Sequence, residues 1–271
     1  MNSLAAKIIG RARQEVQKEF AYLSVSRRPA KILFDHLPKC GGSSLNTYLA
    51  AHYPMRKTFS INGLNPNASV EQFKRLPQAR RHGYDLINGH LANALLNCVH
   101  PDCLKITMLR EPVDRIISHY YYVRRTPTHY LHETVTASGM GLADYAVSGL
   151  SEELRNWYTA HFSGLTAVEA EQAPEAAVNT ALDGVLNHFD LVGFVDAFSS
   201  FTDALLVRAN LRHAYRGRKV NLTPGRAGIE EVPETALRAI RQVNQLDIVL
   251  YNKIKAAVDP CLTPEPATPG L

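Results

Sequence analysis

HLPKCGGSSL, residues 36–45, directly follows the apolar-leaning run KILFD, and its reading decides the fold. KILFDH (31–36) reads as a strand, and the chain then turns through Leu37, Pro38, Lys39, Cys40, Gly41 and Gly42. A helix is expected over 43–52, because Leu45, Tyr48, Leu49 and His52 fall at i, i+3, i+4 and i+7 on one face. Glycines let the backbone take positive φ and approach a ligand closely. A helix N-terminus offers unpaired N–H groups and the positive end of the helix dipole. Ser43 and Ser44 can cap the helix or bond oxyanions, and Lys39 adds a full positive charge. Gly-Gly-Ser alone is met in plain strand–turn–helix connections; the lysine makes this turn a candidate phosphate cradle. It is not the GxxxxGK[ST] loop, which puts the lysine after the glycines, so an ATP hydrolase fits poorly.

A second stretch, LREPVDRIISHYYYVRR (109–125), repeats the pattern. A strand (103–109) runs into a helix that begins at Pro112, a favoured first-turn position. Val113, Ile116, Ile117 and Tyr120 form its apolar face. Arg110, at the junction, presents a guanidinium fork suited to phosphate, and Ser118 a hydroxyl away from Val113, Ile116 and Ile117. Two anion-ready strand ends suggest one ligand with phosphates at two places. Further strands are expected at 84–88 and 189–195, and helices at 3–23, 141–163, 198–211 and 233–257. Residues 54–69 and 212–231 read as loops and 126–140 as a mobile surface loop. Strands alternating with helices predict an α/β fold with a central parallel sheet. One domain is expected over 1–259, followed by a disordered proline-rich tail at 260–271.

The chain has 271 residues, 45% hydrophobic and 20% charged, ordinary for a soluble globular protein. Its formal charge of +5 suits an anionic ligand. The basic residues are scattered apart from RHAYRGRK (212–219), which argues against a nucleic-acid partner. The four cysteines are irregularly spaced and make no zinc pattern. HYLHE (129–133) matches neither HExxH nor HxxEH, so no metal is expected. The amphipathic N-terminus lacks the apolar core of a signal peptide, and no run is apolar enough to cross a membrane. A cytoplasmic protein without signal peptide or membrane anchor is therefore expected.

PKCGGSSL together with REPVDRIISHYY resembles the paired signature of sulfotransferases that use 3′-phosphoadenosine 5′-phosphosulfate (PAPS). The resemblance is closest to the carbohydrate branch related to heparan sulfate 2-O- and 6-O-sulfotransferases and their bacterial relatives. The animal members sit in the Golgi lumen, so the expected lack of a membrane anchor implies a bacterial protein. It implies a P-loop NTPase-like three-layer fold, with helices on both sides of the parallel sheet. It also implies PAPS as co-substrate, 3′-phosphoadenosine 5′-phosphate (PAP) as product and a small-molecule or glycan acceptor. Carried over by position, Lys39, Cys40, Gly41, Gly42, Ser43 and Ser44 hold the 5′ side, and Arg110 and Ser118 the 3′-phosphate. INGHL (87–91) is similar to the Gly-His segment that supplies the family's base, making His90 the candidate base. Some relatives carry two histidines around that glycine, where this chain has Asn88; His36, flanking the cradle, is the alternative base. Lys39 is also the candidate cation for the leaving phosphate. RNWYTAHFSG (155–164), residues 189–206 and 247–251 resemble later family segments, so the likeness spans roughly 31–255.

Arg115 sits in the second motif and reads as a structural ion-pair residue. Arg216, Arg218 and Lys219 precede Asn221 in a basic loop that either closes over the nucleotide, as in relatives, with Arg218 as its candidate contact, or is a solvated charge cluster. Trp157 reads as core packing. Two other readings remain: a small-molecule kinase on a P-loop-like scaffold, and a nucleotide-binding protein without catalysis. ATP dependence would mark the first and absence of a base the second.

Overall fold

The computed structural model describes residues 2–24, 28–217 and 227–262. Helix α1 (Asn2–Ser24) precedes strand β1 (Ile32–Asp35) and helix α2 (Gly42–Ala50). Strand β2 (Thr58–Ser60), helices α3 (Pro66–Arg75) and α4 (Gln78–Arg81) and strand β3 (Leu86–Gly89) follow. Strand β4 (Leu104–Leu109) leads into α5 (Pro112–Arg125), and then come α6 (His132–Ala137), α7 (Leu142–Val147), α8 (Trp157–Ser163), α9 (Ala167–Gln172) and α10 (Pro174–His188). The described part ends with β5 (Leu191–Phe194), α11 (Phe198–Arg208), α12 (Glu234–Val243) and α13 (Gln245–Leu262).

The strands form a five-stranded parallel sheet in the order β2-β3-β1-β4-β5, flanked by helices. This is the expected α/β class. Strands β1, β3 and β5 are buried along their whole length, so none presents a polar face to solvent and KILFD shows no strict apolar–polar alternation.

Two compact units can be distinguished: Met1–Leu37, Gly41–Met108 and Ala197–Val220 form one, Pro38–Cys40, Leu109–Asp196 and Asn221–Leu271 the other. In the first, Leu33, Ile87, Phe73, Val70, Ala92 and Leu95 build an apolar core. Tyr22 of α1 donates to Asp85 Oδ2 at 2.6 Å, and Lys31 pairs with the same carboxylate. In the second, the expected apolar face of α5 packs with Tyr145, Leu154, Leu237 and Ile240.

Several local expectations differ from what is found. Residues 54–69 contain β2 and the start of α3, which has Asn65 as N-cap and Pro66 in its first turn. Residues 126–140 contain the two-turn α6 rather than loop alone. The helix expected over 141–163 is two, α7 and α8, with Asn156 between them in the left-handed region (φ 42°). The helix expected over 233–257 breaks at Asn244, a fully buried residue whose Nδ2 donates to Leu154 O at 3.0 Å and Ile240 O at 3.1 Å. Helix α13 then runs on to Leu262, past Pro260.

Candidate functional site

The opening turn is built at the end of β1. His36 N–H bonds Gly89 C=O at 3.1 Å, so the first turn starts beside the Gly-His segment that ends β3. Lys39 and Gly41 both take left-handed backbone conformations, φ 65° and 74°. For lysine that conformation costs about 1–2 kcal/mol, and such strain clusters at functional sites. Gly41 occupies the N-cap of α2, and no side chain there closes the first-turn N–H groups. Ser43 is exposed and Ser44 buried. A Cβ on Gly42 would lie 1.8 Å from His36 Cδ2 and 2.0 Å from Nε2. Only glycine lets the His36 ring lie there.

Within the same unit, His36 and His90 stack with ring centroids 4.5 Å apart and planes 27° apart. His90 Nδ1 lies 2.6 Å from the carbonyl oxygen of His36. A carbonyl only accepts, so Nδ1 carries the proton and neutral His90 keeps its lone pair on Nε2. Gly89, at φ 135°, has no room for a Cβ, which would come 2.7 Å from Ile61 Cβ. That close approach fits a glycine immediately before the histidine.

In the other unit, the first and second motifs meet through residues that motif reasoning did not single out. Lys39 Nζ lies 3.7 Å from the centroid of the Tyr122 ring, on α5. The Tyr158 hydroxyl contacts Cys40 Sγ at 2.9 Å, donates to Arg110 O at 3.0 Å and accepts from Arg110 N at 3.1 Å. One hydroxyl thereby ties Cys40 of the cradle to Arg110 at the second strand end. Cys40 turns its thiol inward, where burial raises its pKa. The only sequence signal for Tyr122 was its position, one helical turn after Ser118; Tyr158 had none beyond its segment's family likeness.

Arg110 is buried, and its Nη1 donates to Asp114 Oδ2 at 3.1 Å. Its Nε is buried without a hydrogen-bond partner, as are Nε of Arg81, Nε and Nη1 of Arg115 and Nε of Arg212; only Arg110 stands at the second strand end. An orphaned buried guanidinium donor is costly and is the feature an anionic ligand would relieve. The N-terminus of α5 is less open than that of α2, because the Glu111 carboxylate accepts from Asp114 N–H at 2.7 Å. Burial raises the pKa of Glu111. Ser118 is buried on α5.

Arg115 is fully buried, donates to Glu153 O at 2.7 Å and lies 4.0 Å from Asp247 Oδ2. Its guanidinium also lies 5.6 Å from the Trp157 ring centroid and 5.0 Å from that of Tyr158. Asp247 accepts from the backbone N–H groups of Tyr158 and Thr159 at 2.9 and 2.8 Å. Arg115 thus belongs to the framework under Tyr158.

His129 packs edge-on against His119 and Tyr122. Burial, with His119 beside it, lowers its pKa. His132 Nδ1 bonds Val123 O. No group of three or more His, Cys, Asp or Glu side chains that could hold a metal ion occurs among the described residues. Of the basic loop, residues 212–217 are described: Arg212 Nη2 donates to the carbonyls of Ala51 and His52 at the end of α2, and Arg216 is exposed. Arg218 and Lys219 lie outside the described residues. No described helix is long and apolar enough to cross a membrane.

A family model described as "Sulfotransferase family" matches residues 23–253 of the chain, which include every candidate residue above. No curated protein matches the chain.

Proposed function

The chain belongs to the sulfotransferase family, and from that premise we propose that it moves the sulfuryl group of PAPS to an acceptor hydroxyl, on a carbohydrate or glycolipid. The observation that carries this reading is the Tyr158 hydroxyl joining Cys40 to Arg110, with the buried Arg110 Nε unpaired. It supports a ligand with anionic groups at both motifs, as PAPS has.

In this reading the uncapped start of α2, with Gly41, Gly42, Ser43 and Ser44, holds the 5′-phosphosulfate. Cys40 would contribute its backbone only, since its thiol faces Tyr158. Arg110 binds the 3′-phosphate, with Ser118 two helical turns further on. Arg218 would reach the nucleotide from the basic loop.

Sulfuryl transfer, like phosphoryl transfer, depends mainly on positioning and electrostatics. The acceptor oxygen forms a bond to sulfur as the bond from sulfur to the bridging 5′-phosphate oxygen breaks. His90 Nε2 takes the acceptor's proton, the role its lone pair suits. Lys39 stabilises the negative charge that develops on the bridging oxygen as PAP leaves.

The test is transfer of 35S from labelled PAPS to a panel of polysaccharide, oligosaccharide and glycolipid acceptors, with γ-32P-ATP in parallel. Labelled product from PAPS, reduced at least a hundredfold in His90→Ala, is expected, in line with general-base contributions of about 10²–10⁴-fold. Transfer from ATP instead would make the chain a kinase. Full activity in His90→Ala would remove His90 as the base.

A further inference from the structure

Beside His90, the first unit holds a second imidazole whose hydrogen bonds fix the opposite tautomer. Asn46 Nδ2 lies 3.3 Å from His36 Nδ1, and Asn88 Nδ2 donates to Asn46 Oδ1 at 3.0 Å. Because Asn46 Oδ1 accepts from Asn88, the atom that Asn46 turns to His36 is its NH₂, which only donates. His36 Nδ1 must therefore accept, and neutral His36 carries its proton on Nε2. That is the nitrogen lying over Gly42, 2.0 Å from where a Cβ would stand. Asn46 is one turn along α2 from Gly42 and shares its face. His90 is locked the other way by the His36 carbonyl, which takes its Nδ1 proton. The two rings stack at 4.5 Å with one Nε2 a hydrogen-bond donor and the other an acceptor.

We propose that His36 is a donor for the reaction rather than a spare base: its Nε2–H hydrogen-bonds a 5′-phosphosulfate oxygen over Gly42. Asn46 and Asn88 are the positioning residues that hold that proton on Nε2. No bond to His36 forms or breaks; it supplies a fixed dipole where charge develops, while the acceptor's proton goes to His90. The division of labour follows from hydrogen-bond capacity: a ring whose Nδ1 accepts from an amide cannot, while neutral, also accept at Nε2. Asn88, where some relatives have a histidine, gains a role here as the outer end of this relay. This inference rests on the PAPS reading above.

The test uses the full chain labelled with 15N-histidine and PAP as the probe, whose 5′-phosphate oxygens stand for those of the donor. Long-range 1H–15N spectra at pH 8 read both tautomers directly. The expected result is His36 protonated at Nε2 and His90 at Nδ1, with the His36 Nε2 signal moving on PAP saturation. Asn46→Ala should return His36 to a mixture of tautomers and weaken PAP binding roughly tenfold, the scale of one hydrogen bond to a charged group. His36 found protonated at Nδ1 in the wild type, or a His36 Nε2 signal indifferent to bound PAP, overturns the inference while leaving the PAPS reading standing. No PAP binding by the folded wild type overturns both.

Discussion

Replacing Tyr158 with phenylalanine removes one oxygen that the fold uses three times. A hydroxyl has one proton and two lone pairs, and Tyr158 commits all of them: to Arg110 O at 3.0 Å, from Arg110 N at 3.1 Å, and with Cys40 Sγ at 2.9 Å. The ring is fully buried, so water cannot replace the lost partner. Orphaning the buried Arg110 N–H costs about 1–3 kcal/mol, and the lost bond to the Arg110 carbonyl adds about 1 kcal/mol. The thiol contact, a weak donor, adds little. A total near ~3 kcal/mol corresponds to about 6–12 °C in Tm for a chain of this size. Because the backbone released is that of Arg110, PAP affinity should fall at least tenfold as well. The assay is thermal unfolding of wild type, Tyr158→Phe and Cys40→Ser, each with and without saturating PAP. Cys40→Ser should shift the apo midpoint by under ~3 °C, about 1 kcal/mol. A Tyr158→Phe protein with the wild-type midpoint and wild-type PAP affinity would show that the Tyr158 hydroxyl does not hold the Arg110 backbone.

Three further outcomes follow from named contacts. Gly42→Ala puts a methyl group into the His36 ring; PAP affinity should drop at least tenfold in calorimetry while far-UV circular dichroism stays unchanged, and unaltered affinity would contradict the placement of that ring. Burial, then Arg212 and His213, pull the pKa of His52 down to about 4. The unfolded chain takes up this proton near pH 6.5 and the folded chain does not until pH 4, so stability is present above pH 6.5 and lost as pH falls through that window. Urea unfolding should show a loss of about 2–3 kcal/mol between pH 7 and 4.5 from this group, which His52→Asn, keeping an acceptor for Arg212 N–H, should largely abolish. Arg115→Met leaves the buried Asp247 carboxylate without its cation and should cost about 3–5 kcal/mol in urea unfolding; an unchanged stability would show that the Tyr158 N–H with the Thr159 N–H and hydroxyl satisfies that carboxylate without Arg115.

Strands β1 and β3 were legible because both are buried along their whole length and run into glycine-bearing turns, features local to KILFDHLPKCGG and YDLINGH. Strand β2 was not, since the half-buried Thr58 and Phe59 and the exposed Ser60 are strand only by pairing with β3. The break at Asn244 was equally invisible: apolar spacing runs through it, and a tertiary bond to Leu154 O ends the helix. The cradle, Arg110 and the Gly-His segment could be picked out because their chemistry is written in residue type and neighbourhood. Tyr158 and Tyr122 could not, because each contacts residues far away in the chain, Cys40 and Arg110 for the first and Lys39 for the second. Arg115 shows the reverse: it lies inside a motif, yet its partners are Asp247 and the Glu153 carbonyl.

The most direct test of the account is a calorimetric and thermal-shift titration with PAP, with ATP and AMP as controls, on wild type, Lys39→Ala and Arg110→Ala. Ligand at 100 times its Kd should stabilise the native state by about 2.7 kcal/mol. That shift is expected for PAP in the wild type, a much smaller one for AMP, which lacks the 3′-phosphate, and its loss in both variants. A folded wild type that ignores PAP, or that prefers ATP, would contradict the PAPS reading.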